Sequence, residues 1–138
     1  MVVAVVLGVV LGMALSLCLA ARGRLARFSD AAREQFDATR AAELLARDIR
    51  AAREAREDQG ALVLSGGAPA EVRWAVRAGR LVRSAGTGQR TFSVPVAGMR
   101  LKIESGLVEV SLRTAAPVGR PTMPFYVAAR PRGGGGGR

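Results

Sequence analysis

The first twenty-one residues form an apolar segment without a single charge. They are Val, Leu, Ala, Gly, Met, Ser and Cys, and the first charges follow directly at Arg22, Arg24 and Arg27. About twenty helical residues, at a rise of 1.5 Å each, span a hydrocarbon layer of about 30 Å. The pattern predicts a transmembrane helix over residues 1–21 that is followed by interfacial arginines.

Two other interpretations of this segment compete with a retained anchor. A cleaved secretory signal needs a basic start and a shorter apolar region, and neither is present here, although Cys18 and Ala20 suit a cleavage site. A lipoprotein signal would lipidate Cys18, but the bulky Leu17 stands before it. The retained anchor is favoured, because a second helical pattern continues it.

This second pattern predicts an amphipathic helix over residues 22–58. Neither proline nor glycine occurs from Leu25 to Glu57, and apolar residues recur at steps of three and four. Opposite charges also stand four residues apart, which favours a solvated helical surface, as at Arg50 with Glu54 and Arg53 with Glu57. The apolar stripe is expected to pack on the following domain through Phe28, Phe36, Leu45 and Ile49.

After Gly60 the apolar period changes from helical to alternating. Short alternating runs, separated by glycine or proline turns, predict an antiparallel sheet whose clearest hairpin turns at Glu104-Ser105-Gly106. The strands are expected at residues 61–64, 71–77, 80–83, 90–94, 98–103 and 107–112, with a short edge strand at 125–127. The predicted core of this head consists of Trp74, Leu81, Phe92, Leu101, Ile103, Val108 and Val110.

These patterns together predict an α+β fold in which a long N-terminal helix packs on a small antiparallel β-sheet. The expected regions are a transmembrane helix at 1–21, an amphipathic continuation at 22–58, an antiparallel β head at 61–128 and a disordered Gly/Arg tail at 129–138. The tail carries five consecutive glycines. It lacks the preceding strand, following helix and lysine of a phosphate-binding loop.

Composition excludes most enzymes. The 138 residues include no histidine and one cysteine, so imidazole-dependent triads and ordinary zinc sites are excluded. Beyond residue 60 the acids are Glu71, Glu104 and Glu109, too few for an obvious calcium site and without a convincing acid/base pair. We expect no catalytic residues, metal or cofactor, and no enzymatic activity.

The charge lies mainly in the head. The net charge is +10, and twelve basic residues meet three acids beyond residue 60. An acidic partner subunit, anionic lipid headgroups or DNA would suit this excess. Nucleic acid is the less favoured partner, because scattered arginine also arises from a GC-rich genome. The candidate basic partner surface is Arg73, Arg77, Arg80 and Arg83.

An apolar helix that runs into an amphipathic helix and then a short antiparallel sheet resembles the type IV pilin and pseudopilin superfamily. The segment Val72-x-Trp74, followed by Gly79-Arg80-Leu81-Val82-Arg83 and later hairpins, is similar to minor pseudopilins of type II secretion systems. The resemblance covers about residues 1–112. It implies a structural subunit in the bacterial inner membrane, a single-pass protein with its head in the periplasm or outside.

The resemblance also implies partners. The subunit would assemble with other pilin or pseudopilin subunits and an inner-membrane assembly platform, in contact with membrane lipid, and enter a secretion or type IV pilus-type filament after extraction. Gly8 and Gly12 have a small-xxx-small spacing that lets helices approach. The residues expected to pack in the membrane or between helices are Gly8, Gly12, Val5, Leu11 and Leu15.

One family feature is missing from the sequence. Neither Gly8 nor Gly12 is followed by a glutamate at the fifth position, because Met13 and Leu17 stand there. We expect the leader, cleavage site and glutamate to lie upstream of Met1, which would also balance the arginines that follow the apolar segment. The alternative function is a membrane-anchored basic binding module, for DNA uptake or as an envelope scaffold, unrelated to filaments.

Overall fold

A computed structural model describes the backbone of residues 2–115 and 125–133, with the side chains of residues 10–115 and 125–133. The chain divides into two compact units, residues 1–34 and 35–138. Helix α1 spans Val2–Ala51. Over residues 10–115 and 125–133, no helix combines the length and the apolar character needed to cross a membrane.

Seven strands follow α1 and form one antiparallel sheet in simple chain order. Each strand pairs with the next along the sequence, so the sheet is a meander. The strands are β1 (Glu54–Asp58), β2 (Ala61–Ser65), β3 (Glu71–Arg77), β4 (Arg80–Ala85), β5 (Gly88–Glu104), β6 (Leu107–Thr114) and β7 (Phe125–Ala129).

Tight turns set the register of three of these hairpins. Gln59-Gly60, Ala78-Gly79 and Ser105-Gly106 each place both turn residues at positive φ, between 49° and 74°. This is the type I′ geometry, whose twist matches that of antiparallel strands, and glycine adopts its second position without a steric penalty. The hairpin predicted at Ser105-Gly106 is therefore present, with Leu101 opposite Val110.

Strand β5 is longer than the sequence predicts and serves two neighbours. Its first half pairs with β4 and its second half with β6. The expected stop at Pro95 does not occur, and the pairing with β6 shifts by one residue between Val96 and Gly98. Proline removes only its own hydrogen-bond donor. The adjacent amide of Val96 donates to Gly79 O at 2.8 Å, so the strand continues through this position.

The main core of the second unit comes chiefly from the sheet. Among the described residues, its buried cluster takes Ala41, Leu45 and Ile49 from α1 and Ala52 just after it. Strands supply the remaining members, which are Leu62, Leu64, Val72, Trp74, Leu81, Phe92, Val94, Val96, Val108, Val110, Leu112, Phe125, Val127 and Ala129.

The predicted fold class is therefore wrong. The protein has one helix followed by a seven-stranded antiparallel half-barrel, a sheet-dominated fold rather than a long helix packed on a small sheet. Among the described side chains of α1, those in its last turns are the fully buried ones, and most of the core comes from the sheet. The predicted sheet is too small, because it lacks β1 and divides β5 into two strands.

Two predicted boundaries also change. Helix α1 ends at Ala51, and residues 54–58, which were assigned to the helix, form β1 and pair with β2. Residues 129–132, expected in the disordered tail, are ordered: Ala129 ends β7, and the Arg132 amide donates to Ala52 O at 2.8 Å. Residues 116–124 and 134–138, expected as loop and disordered tail, lie outside the described residues.

Candidate functional site

Asp48 joins the last turns of α1 to the sheet within the second unit. Its Oδ2 accepts hydrogen bonds from Arg83 Nε at 2.7 Å and Trp74 Nε1 at 2.9 Å, and its Oδ1 accepts one from Arg83 Nη2 at 3.0 Å. The Asp48 side chain is 9% exposed and that of Arg83 19%. The hydrogen bond to Asp48 raises the pKa of Arg83, against the opposing effect of burial.

An aromatic stack lies beside this carboxylate. The rings of Trp74 and Phe92 are nearly parallel, with centroids 5.6 Å apart, and the Arg90 guanidinium lies 5.0 Å from the Phe92 centroid. Both rings are buried. Trp74 therefore acts as a core residue that uses its apolar ring and its N–H donor at once, rather than as a platform for a base.

The residues expected to pack the helix on the head divide into two groups. Leu45 and Ile49 are fully buried, whereas Phe36 is 65% exposed, which corrects the expectation for Phe36; Phe28 belongs to the first unit, where it is 78% exposed. Nine residues separate Phe36 from Leu45, which is two and a half turns of a helix. The predicted stripe joins them by three successive steps of three residues, each of which falls about 60° short of a full turn, so the two residues lie on opposite faces of the helix.

The predicted head core has a buried centre and an open end. Trp74, Leu81, Phe92, Val108 and Val110 are each at most 1% exposed. Leu101 is half-buried and packs against the same cluster, whereas Ile103 is 37% exposed, so the expectation for Ile103 is corrected. They share the core face with their partners on β6, but they approach the solvent-facing turn at Ser105-Gly106.

The predicted basic surface does not form as one patch. Arg83 lies on the core face with Asp48, and Arg73 pairs with Asp58 through Nη1 and Oδ2 at 2.9 Å. Arg77 and Arg80 are exposed and face each other across the β3–β4 turn. Two of the four arginines are therefore internal partners, which corrects the expectation of a shared partner surface.

Apolar side chains of the first unit are exposed where they are described. Leu11 is 68% exposed and Leu15 66%, and no heavy atom lies within 4 Å of a Cβ built on Gly12. Val5 and Gly8 lie outside the residues whose side chains the structure describes. Cys18 is a free, exposed cysteine on the same helix.

A second polar cluster, which the sequence does not predict, lies on the face of β5, β6 and β7 opposite the core. Tyr126 donates its hydroxyl to Glu109 Oε1 at 2.8 Å, and Lys102 Nζ lies 3.1 Å from Glu104 Oε2. The hydrogen bond to Glu109 raises the pKa of Tyr126, and the hydrogen bond to Glu104 raises the pKa of Lys102. The acids nearest this surface are thus engaged locally.

Glycines let the chain close tightly around the end of α1. A Cβ on Gly66 would stand 2.9 Å from Arg53 Cβ, and Gly66 has a φ of +78°. A Cβ on Gly133 would stand 2.9 Å from the backbone oxygen of Arg53. These positions therefore need glycine for close packing.

The described residues do not assemble a chemical centre of a familiar kind. Over the described ranges, no three Cys, Asp or Glu side chains gather as metal ligands. The described geometry offers the Asp48 carboxylate, held by Arg83 and Trp74, and an exposed apolar helix in the first unit. Comparison of the chain with protein-family models, curated proteins and solved structures finds no match.

Proposed function

We propose that this protein is a structural subunit of pilin or pseudopilin type, held in a membrane by its apolar N-terminal helix. In this proposal the same helix packs against other subunits when a secretion or type IV pilus-type filament is assembled. The protein performs no chemistry of its own. The head is the part that such a filament presents outside its helical core.

The observation that carries the proposal is the exposed apolar surface of the first unit. Val10, Leu11, Met13, Leu17 and Leu19 are between 58% and 71% exposed, although each is a large apolar side chain. A soluble monomer rarely exposes so continuous an apolar surface, and such surfaces mark contact with a protein or a membrane. The apolar sequence also extends to Met1.

The second unit supports a structural role, in which a rigid head is displayed on the outside of a filament, rather than a catalytic role. Asp48, Trp74 and Arg83 fix the last turns of α1 to the sheet, so the head is attached rigidly where its helix ends. With Arg73 and Arg83 paired internally, the case for a module that binds through those four arginines is weakened. The filament subunit therefore remains the better supported of the two functions.

Membrane fractionation of the full chain tests the anchoring step. We expect the protein to stay with membranes after alkaline carbonate washing and to be released when Leu11 and Leu15 are both changed to arginine. A charge at a membrane helix centre costs about 2.5–3.5 kcal/mol. Phe28→Arg is the matched control, because Phe28 lies outside the apolar segment and is exposed. Release of the unaltered chain by carbonate would contradict the proposal.

A further inference from the structure

Two arginines lie on the face of β5 and β6 opposite the core, and the two strands border an open cavity of about 430 Å³. The cavity is lined by Gly98, Met99, Arg100, Ser111, Leu112 and Arg113. We propose that Arg100, Ser111 and Arg113 form a binding site for a phosphoryl group.

Strand register brings the three polar residues together. Arg100 stands directly opposite Ser111, and Arg113 is two residues further along β6. Arg113 is therefore the diagonal neighbour of Arg100, and the Cα atoms of such a pair lie about 7–8 Å apart. Met99 and its partner Leu112, which is buried in the core, occupy the other side of the sheet. Because side chains alternate along a strand, Arg100, Ser111 and Arg113 share the solvent side.

Gly98 keeps room beside Arg113. Gly98 is the register partner of Arg113, and nothing lies within 4 Å of a Cβ built on it. The position opposite Arg113 therefore holds open space where another residue would place a side chain. No side chain on the neighbouring strand therefore crowds Arg113 at this position.

Within the described residues, these two arginines have no acidic partner, unlike others in the head. Arg73 and Arg83 are engaged by aspartates, while Arg100 and Arg113 make no hydrogen bond or ion pair. The nearby carboxylates are already engaged: Glu109 accepts from Tyr126, and Glu104 pairs with Lys102. Two guanidinium groups without a counter-charge among the described residues are therefore left beside the cavity.

A phosphoryl group suits this donor set better than a single carboxylate does. Guanidinium groups bind phosphate oxygens through paired N–H donors, and a phosphoryl group offers three such oxygens. The two arginines and the Ser111 hydroxyl can each donate a hydrogen bond to a different phosphoryl oxygen. The same chemistry is supplied by free phosphate and by the headgroup of an anionic phospholipid.

Nuclear magnetic resonance of the full chain in nonionic detergent micelles tests the site. With inorganic phosphate as the probe, we expect saturable shifts of the Arg100 and Arg113 Nε–H signals and of the Ser111 amide. Arg100→Gln and Arg113→Gln should each weaken binding about tenfold, because a charge-assisted hydrogen bond is lost. The double variant Arg77→Gln/Arg80→Gln is the control, since it removes two exposed arginines elsewhere in the head.

Micelles doped with phosphatidylglycerol distinguish the two sources. Shifts of the same signals by the doped lipid, lost in the Arg100→Gln/Arg113→Gln variant, support a headgroup ligand. Shifts by inorganic phosphate alone support a soluble phosphate ligand. The proposal is overturned if neither probe shifts these signals beyond a chloride control of equal ionic strength, or if the Arg77/Arg80 control loses binding to the same extent.

Discussion

The carboxylate of Asp48 accepts two hydrogen bonds from Arg83, at 2.7 and 3.0 Å, and the two residues are 35 positions apart in the sequence. The same carboxylate accepts the Trp74 indole N–H. A charge that is withdrawn from water is stabilising only while its partners remain in place. Asp48 therefore determines how firmly the last turns of α1 are attached to β3 and β4.

Asp48→Asn should destabilise the head by about 2–4 kcal/mol, because it leaves the Arg83 guanidinium largely buried without its counter-charge. Urea unfolding followed by the fluorescence of Trp74, the sole tryptophan, measures the effect. Asp58→Asn is the matched control: its pair with Arg73 is a third to nearly half exposed and is worth about 0–1 kcal/mol. Equal losses in the two variants would contradict the assigned role of Asp48.

Leu45→Ala should cost about 2–5 kcal/mol, because Leu45 is fully buried in the main cluster and its truncation leaves a cavity. Phe36→Ala should change the free energy of unfolding by no more than about 0.5 kcal/mol, because the ring is exposed. The same urea titration measures both. A large loss of unfolding free energy in Phe36→Ala would contradict the exposed position of Phe36 and support its predicted packing on the head.

Tyr126 should titrate above its ordinary pKa of 10.0, because its hydroxyl donates to Glu109. It is the single tyrosine of the chain, so the ultraviolet absorbance of tyrosinate reports it alone. The raised pKa favours the neutral form in the folded state, so its contribution to stability is present below pH 10 and is lost as pH rises through the folded-state pKa. In Glu109→Gln the titration midpoint of Tyr126 should move down towards pH 10. An unchanged midpoint would exclude the hydrogen bond to Glu109 as the cause of the raised pKa.

Gly66→Ala should destabilise the head by about 1–3 kcal/mol, because the position has a left-handed backbone and no room beside Arg53. Gly98→Ala is the control, since its Cβ would enter open space and its backbone has no left-handed φ. Removing a glycine there should be neutral or slightly stabilising. Thermal unfolding of the two variants side by side measures the difference, and equal melting temperatures would contradict the close packing at Gly66.

Local sequence signals located most of the sheet, because hairpins depend on local chemistry. A glycine-containing turn pair with alternating apolar residues on either side predicts both the strands and their register, as at Ser105-Gly106. The run Ala61–Leu64 is likewise buried throughout, as an unbroken apolar strand suggests. These features need no information from distant parts of the chain.

Strand β1 could not be predicted from its own residues. The sequence Glu54–Asp58 contains good helix formers, and its charges suit helical pairing four residues apart. Its state is set by pairing with β2 through the turn at Gln59-Gly60. Tertiary contact overrides local propensity here, and charged residues are common on a strand at the edge of a sheet.

The candidate sites depended on distant partners even more strongly. Arg73, Arg77, Arg80 and Arg83 are close in sequence, but the strand alternation and the positions of Asp48 and Asp58 decide which of them are free. A weak signal for Asp48 did exist, since it stands three residues after Leu45 and one before Ile49, at the margin of the buried face. The pairing of Arg100 with Ser111, by contrast, follows from the register that the turn at Ser105-Gly106 sets.

Cysteine cross-linking along the exposed helix tests the central claim most directly. In a Cys18→Ala background, single cysteines at positions 10–20 are oxidised in membranes, and covalent dimers are measured at each position. The account predicts dimers that peak every three to four positions, because one helical face packs against another subunit. Monomers at every position, in a chain whose Trp74 fluorescence shows a folded head, would contradict assembly through this helix.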